Sequence, residues 1–229
     1  MFWYKGWLET RFRFFFALGF TVFFLASAYG YGLKTAAALR VVVGTATVLV
    51  AMLCGQLAGA GIVTQPAVQA TAGLHGSTMF TLSLPVSRLR LLAVRASLGW
   101  LEVVGGIALY CGGMWVLFPV VRATASGAEM LEYAGVLIGC ASGMHFISVL
   151  LATFLDDLWR MYGTMIAFAA LWWASKRVAM PDSVNVFRAM SEGSPLLAHS
   201  IPWAAMAVSL GLAAALFLAS LRIVQEREY

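Results

Sequence analysis

Long unbroken apolar runs are the feature that most narrows what this chain can fold into. Six stand out, at about Phe14–Tyr31, Val41–Val63, Leu98–Val121, Tyr133–Phe154, Met161–Ala174 and Trp203–Val224. A bilayer core about 30 Å thick needs roughly 20 apolar residues of helix, and backbone inside it must satisfy its own hydrogen bonds. The runs are continuous rather than alternating, so they predict helices and not the strands of a barrel. Charged residues make up 11% of the chain, against about a quarter in an ordinary soluble domain, too few to cover a water-facing shell. The expectation is an all-α polytopic membrane protein with six transmembrane helices. Residues 1–229 form one transmembrane domain, with no linker, low-complexity run or internal repeat. The fifth run is the shortest and extends upstream at most to Leu158.

The net charge of +5 comes from scattered basic residues that form no patch, which argues against nucleic acid as a partner. In a membrane chain such an excess reflects topology and anionic lipid. Cys54, Cys111 and Cys140 all fall inside apolar runs without C-x-x-C spacing, so they read as small buried side chains. Lys5, Arg11 and Arg13 precede an apolar run that ends near Ala26-Ser27-Ala28, the outline of a cleaved signal; the segment is read as a first span. Six spans put both termini on one side. With that side cytoplasmic, Lys5, Arg11, Arg13, Arg88, Arg90, Arg95, Arg160, Arg222 and Arg227 lie inside, and Lys34, Arg40, Arg122, Lys176, Arg177 and Arg188 outside. Nine against six favours cytoplasmic termini.

Two spans carry small residues every four positions: Ala51, Gly55 and Gly59 in the second, Gly135, Gly139 and Gly143 in the fourth. Such rows let helix backbones approach closely in lipid, either within one subunit or at a seam between two. Ahead of the first span, residues 1–13 are amphipathic. Lys5, Glu9 and Arg13 form one row, with Trp3 and Trp7 roughly opposite, as in a helix lying in the membrane interface. The stretch Ser175–Pro202 holds several Pro and Gly residues, with Val184, Phe187 and Met190 at helical spacing. It fits a short interfacial or re-entrant helix, or an ordered loop.

The stretch from Thr64 to Arg95 is too long for a turn between two spans. Ser77 or Thr78 can cap a short helix through Leu84, which Pro85 ends. Ser87 then suits the N-cap of the next helix, with Val86 and Leu91 placed as a hydrophobic staple. The run Gly76-Ser77-Thr78-Met79-Phe80-Thr81-Leu82-Ser83-Leu84-Pro85-Val86-Ser87-Arg88 resembles the G-T-x-x-x-L-x-x-L-P-V-S-R segment of type-2 ABC exporter permeases. That family commonly has an acidic residue before the Gly-Thr pair, where this chain has Gln69 and His75.

The resemblance implies an amphipathic elbow helix over about 1–13, a cytoplasmic coupling segment over about 64–95, and an external re-entrant or interfacial segment over about 175–202. It implies a permease subunit in the bacterial cytoplasmic membrane, working as a homodimer or closely related heterodimer beside a separate ABC ATPase. ATP and Mg would bind on that partner and no cofactor on this chain. The residues it implies for ATPase docking are Ser77, Thr78, Met79, Phe80, Leu82, Leu84, Pro85 and Arg88. Asp156 and Asp157 form either a second contact or a helix cap paired with Arg160.

Other chemistries find less support. No G-x-x-x-x-G-K-[ST] loop occurs, so any ATP that drives the protein binds elsewhere. Ser142 and His145 share one short helical stretch, whereas a nucleophile and its base normally come from separate elements. His75, His145 and His199 are spread over loop, span and loop, and suit no haem. Glu102 is the one acid clearly within an apolar run, which makes it a candidate either for a pathway or for a bond to Arg95. Gln56, with Gly55 and Gly59 beside it, is a milder candidate for a pathway or dimer seam. The chain is read as a transport subunit and not an enzyme; the alternative is a membrane-anchored sensor or assembly scaffold that moves nothing.

Overall fold

Ser126 fixes where the most enclosed helix begins. Its hydroxyl accepts from Glu129 N at 3.2 Å while the Glu129 carboxylate accepts from Ser126 N at 2.7 Å, a reciprocal cap on two otherwise unmet donors. The computed structural model describes residues 2–30, 36–58, 87–155, 157–178 and 180–226, and among them every regular element is helical. These are α1 (Phe2–Gly30), α2 (Ala36–Leu57), α3 (Arg88–Leu117), α4 (Pro119–Thr124), α5 (Gly127–Ala152) and α6 (Asp157–Arg177). A 3-10 turn (Asp182–Val184) and the short helices α7 (Val186–Met190) and α8 (Pro195–Ala198) then lead into α9 (Trp203–Glu226).

Side-chain contacts give the six long helices alternating directions. Gly6 meets Leu98, Phe14 meets Gly105 and Leu25 meets Gly113, so α1 and α3 run together. Cys54 reaches the Ala141 carbonyl and Ser148 the Ala58 carbonyl, so α2 and α5 run together, and Met206 against Gly139 followed by Ser209 against Gly143 adds α9 to that direction. The helix α6 lies antiparallel to α2, with Met165 on Gly55 and Met161 on Gln56. One end of the bundle therefore gathers the start of α1, the end of α2, the start of α3 and the α5–α6 turn. The other gathers the ends of α1, α3 and α6 with residues 180–202.

Five of these helices are long and apolar enough to cross a membrane: α1, α2, α3, α5 and α9. The helix α5 is the hub, with 61% of its most apolar window buried, against 17% for α1 and 22% for α9, whose Phe12, Phe15, Phe16, Val208, Leu210 and Leu218 stand exposed as a lipid-facing surface does. The expected fifth span is not among the five. The helix α6 has 21 residues, but Tyr162, Gly163 and Thr164 dilute its apolar stretch, and Arg160 at one end and Lys176-Arg177 at the other bound it.

Three further expectations meet a different structure. No break sets off residues 1–13 as an elbow: α1 continues from Phe2 to Gly30, with no proline to interrupt it and Thr10 Oγ1 3.2 Å from Gly6 O. The third span stops at Leu117 rather than Val121. Pro119 lacks an N–H, and Phe118 before it is extended at φ −111° and ψ 102° before α4 begins. Of the two readings left open for 175–202, a single helix is not what lies there: residues 180–202 hold a 3-10 turn and two short helices, divided by the Ser191–Ser194 turns and Pro195. Its anchors Ala189, Met190 and Leu196 are buried in the main core.

Asn185 starts α7, its side-chain oxygen accepting from Phe187 N at 3.1 Å and Arg188 N at 3.2 Å while only 8% exposed. Asn185→Ala is expected to cost about 1 kcal/mol, the usual worth of an N-cap. Denaturant titration of the purified chain in detergent checks it; an unchanged midpoint would mean that the cap contributes nothing.

Candidate functional site

The seam between α2 and α6 carries the largest side chain that is fully buried among the described residues. Arg160, in the first turn of α6, is 1% exposed. Its Nη1 donates to Gly55 O at 3.1 Å, to Ser148 Oγ at 2.9 Å and to Ala58 O. The Ser148 hydroxyl also donates to Ala58 O at 2.9 Å, and Thr164 Oγ1 lies 3.1 Å from Ser148 Oγ and 2.8 Å from Arg160 O. Three helices are joined through one guanidinium. The chemistry is that of a helix terminus: the last turn of a helix generally presents carbonyls beyond its own ladder and a partial negative charge, and a buried cation answers both.

Above this knot Met165 closes on Gly55, where an added Cβ would come within 2.6 Å of its Cε. Beyond Met165 the seam opens into a cavity of about 960 Å³ between α2, α6 and residues 182–197. Val48, Ala51, Met165, Phe168 and Trp172 form its apolar wall, with Val48 and Trp172 half-exposed on the open side, and Arg40, Lys176, Asp182, Arg188 and Glu192 line its other end. Arg188 is ion-paired with Asp182. Polar groups thus sit at one end of the cavity and apolar ones along its depth, an arrangement that can take a molecule with a charged end and an apolar body.

Glu102 is placed elsewhere. It is 4% exposed on α3 and accepts from the hydroxyl of Thr10 on α1, a partner 92 positions away. Among the described residues its second oxygen, Oε2, has no hydrogen-bond partner. It joins α1 to α3, while Gly55 and Gln56 face α6, so these candidates do not come together. Gln56 Nε2 lies 3.1 Å from Met161 Sδ. The three cysteines are buried and unpaired with one another. Ser142 bonds to the Ile138 carbonyl and to Trp100, and His145 to Ala96 O at 3.0 Å, so these two side chains do not engage each other. His199 meets Glu129 at 2.7 Å.

The coupling residues Ser77, Thr78, Met79, Phe80, Leu82, Leu84 and Pro85 lie outside the described residues, as do Gly59 and Asp156, and for Arg88 and Asp157 the backbone alone is described. What the structure gives of that region is its exit. The Ser87 hydroxyl accepts from Arg90 N at 3.3 Å, the expected N-cap, and α3 starts at Arg88. Arg95, placed by sequence at an interface, is only 6% exposed. Sequence reasoning took Arg160 only as an inner-side charge or the partner of an Asp156-Asp157 cap, and did not reach its burial or the cavity. The signal available for Arg160 was a single Arg one turn into a helix whose neighbours Leu158, Met161 and Ile166 are apolar. No family model, no curated protein and no solved structure matches the chain.

Proposed function

We propose that this chain is the membrane subunit of an ATP-driven exporter of the type-2 ABC permease class, working as a dimer with a separate ATPase. The observation that carries the reading is the run from Gly76 to Arg88, with its Leu-Pro-Val-Ser-Arg ending, set between α2 and α3. Phe80, Leu82 and Leu84 would seat on the ATPase, with Ser77 as helix cap, Pro85 as break and Arg88 at the rim. Movement there reaches the spans by two exits: forward into α3 through the Ser87 cap, and back into the last turn of α2, which Arg160 and Ser148 fasten to α6 and α5. A push on the segment would therefore act on α3 at one exit and on α2, α5 and α6 together at the other.

On this reading α6 is the sixth crossing. Its direction, antiparallel to α2, supports that, and so do the exposed Trp159 and Tyr162 near one end and Trp172 and Trp173 near the other. Aromatic pairs at both ends of a helix mark the two headgroup levels. The Arg177 guanidinium rests 5.9 Å over the Trp173 ring, anchoring the second level. Both termini are then cytoplasmic, with 180–202 outside. The small residues are spent within the chain where contacts are made, Gly55 on Met165 and Gly143 on Ser209, so a partner copy would use other surfaces.

Purification of the tagged chain from native membranes tests the proposal. A chain bearing a phosphate-binding loop should accompany it in near-equal amount. Phe80→Asp should remove that partner while leaving yield and helix content of the membrane chain as they were. Wild-type chain without any such partner would sink the exporter reading. A partner whose ATP hydrolysis is indifferent to this chain after reconstitution would favour the sensor or scaffold.

A further inference from the structure

We propose that the cavity between α2, α6 and residues 182–197 is a binding site for an amphiphile with an anionic head and a single apolar chain. Its two long walls are helix faces in register. Arg40, Gly44, Thr47, Val48 and Ala51 come from α2, and Met165, Phe168, Trp172 and Lys176 from α6. Those positions recur at three- and four-residue intervals, one stripe on each helix. Each stripe descends eleven residues from cation to apolar floor, Arg40 to Ala51 and Lys176 to Met165, about 16 Å at the helical rise. The cavity is thus a slot with a charged end and a mostly apolar wall, open on the side of Val48 and Trp172 and bounded below by Met165 on Gly55.

The mouth selects the sign of the head. Of its three cations, Arg188 is ion-paired with Asp182. Arg40 and Lys176 have no ion pair among the described residues, and Glu192 is the only other acid there. An anionic head gains from a mouth with three cations against two carboxylates, whereas a neutral head gains no such attraction and a cationic one is repelled. A small anion alone would leave the wall of Val48, Phe168 and Trp172 unfilled, whereas an attached apolar chain would cover it. Gly44 faces open space, with nothing within 4 Å of an added Cβ, so the slot has room beside α2.

The site stands on the cavity and not on the exporter reading; on that reading its occupant is the cargo. The test uses the full chain alone in phosphatidylcholine nanodiscs, titrated with a brominated-chain alkyl phosphate that quenches tryptophan. A saturable component of quenching should appear and should be absent in Trp172→Phe. Gly44→Leu, whose Cβ would stand in open space at the slot, should abolish it, and Arg40→Ala with Lys176→Ala should weaken it about tenfold or more. A brominated alkanol should bind at least tenfold more weakly to the wild type, and inorganic phosphate alone should not displace the probe. Phosphatidylglycerol in the disc suppressing the component would identify the occupant as a bilayer lipid; no suppression would identify a free amphiphile. Quenching that only partitions without saturating, or that survives Gly44→Leu unchanged, overturns the site. Binding in a chain that recruits no ATPase would leave this site standing and remove the exporter.

Discussion

Arg160→Met is expected to lower the stability of the chain by about 3 kcal/mol, read from denaturant titration in a fixed detergent. The figure follows from what the substitution leaves behind. Methionine fills much of the arginine's volume, so little packing is lost. The Gly55 and Ala58 carbonyls cannot be removed with it, however, and hydrogen bonds to charged groups contribute about 1.5–3 kcal/mol each while a buried acceptor left unmet costs about 1–3. Ser148 still donates to Ala58 O and still has the Thr164 hydroxyl at its oxygen, so the loss falls mainly on Gly55 O. Arg160→Lys keeps the charge but should recover only part, because its shorter stem and compact ammonium do not reproduce the position of Nη1 among its three acceptors. Ser148→Ala should cost about 1 kcal/mol alone and much less in the Arg160→Met background, since the two act as one network. Equal costs of Ser148→Ala in both backgrounds would show that the knot is not a unit.

That residue also shows where sequence legibility ended. A span was read from Met161 because a charge is assumed to stay in water; the helix instead begins at Asp157 and takes Arg160 into the protein. Buried cations need partners from elsewhere in the fold, and Gly55 and Ala58 lie more than a hundred positions away. The same holds for Glu102, whose partner Thr10 no periodicity along α3 could name. Local chemistry was more readable. Ser87 starts α3 as its side chain and the preceding Leu-Pro suggest, and the long apolar runs reappear as α1, α2, α3, α5 and α9. Two local signals were present and unread. Ser126 with Glu129 three residues on places the start of α5 at Gly127, six residues before Tyr133, and Pro119 ends the third span early. The cavity was out of reach because its stripes come from α2 and α6, and helix pairing is invisible in a single stretch of sequence.

The glycines of α5 give the other large effect, and they divide the row that sequence treats as one. Gly143 lies where α5 and α9 cross most closely. Its N–H donates to Ser209 Oγ at 3.1 Å, and that hydroxyl donates onward to Cys140 O at 2.9 Å. A Cβ at Gly143 would stand 3.0 Å from the Ser209 carbonyl oxygen, which is backbone and cannot turn aside. Gly143→Leu must push α9 away along a contact made of packing, since in lipid no hydrophobic force restores it. A loss of roughly 3 kcal/mol or more is expected from overpacking at such a site. Gly135, two turns earlier on the same row, has nothing within 4 Å of an added Cβ. Gly135→Ala should therefore gain up to about 1 kcal/mol, the difference in helix propensity. Unfolding of the two variants in the same detergent separates the readings. Opposite signs mean that the row packs α9 within one subunit at Gly143 and is idle at Gly135. A Gly135→Leu chain that folds normally but no longer pairs with a second copy would instead place a subunit seam at that end of α5, with Gly143 still spoken for inside the chain.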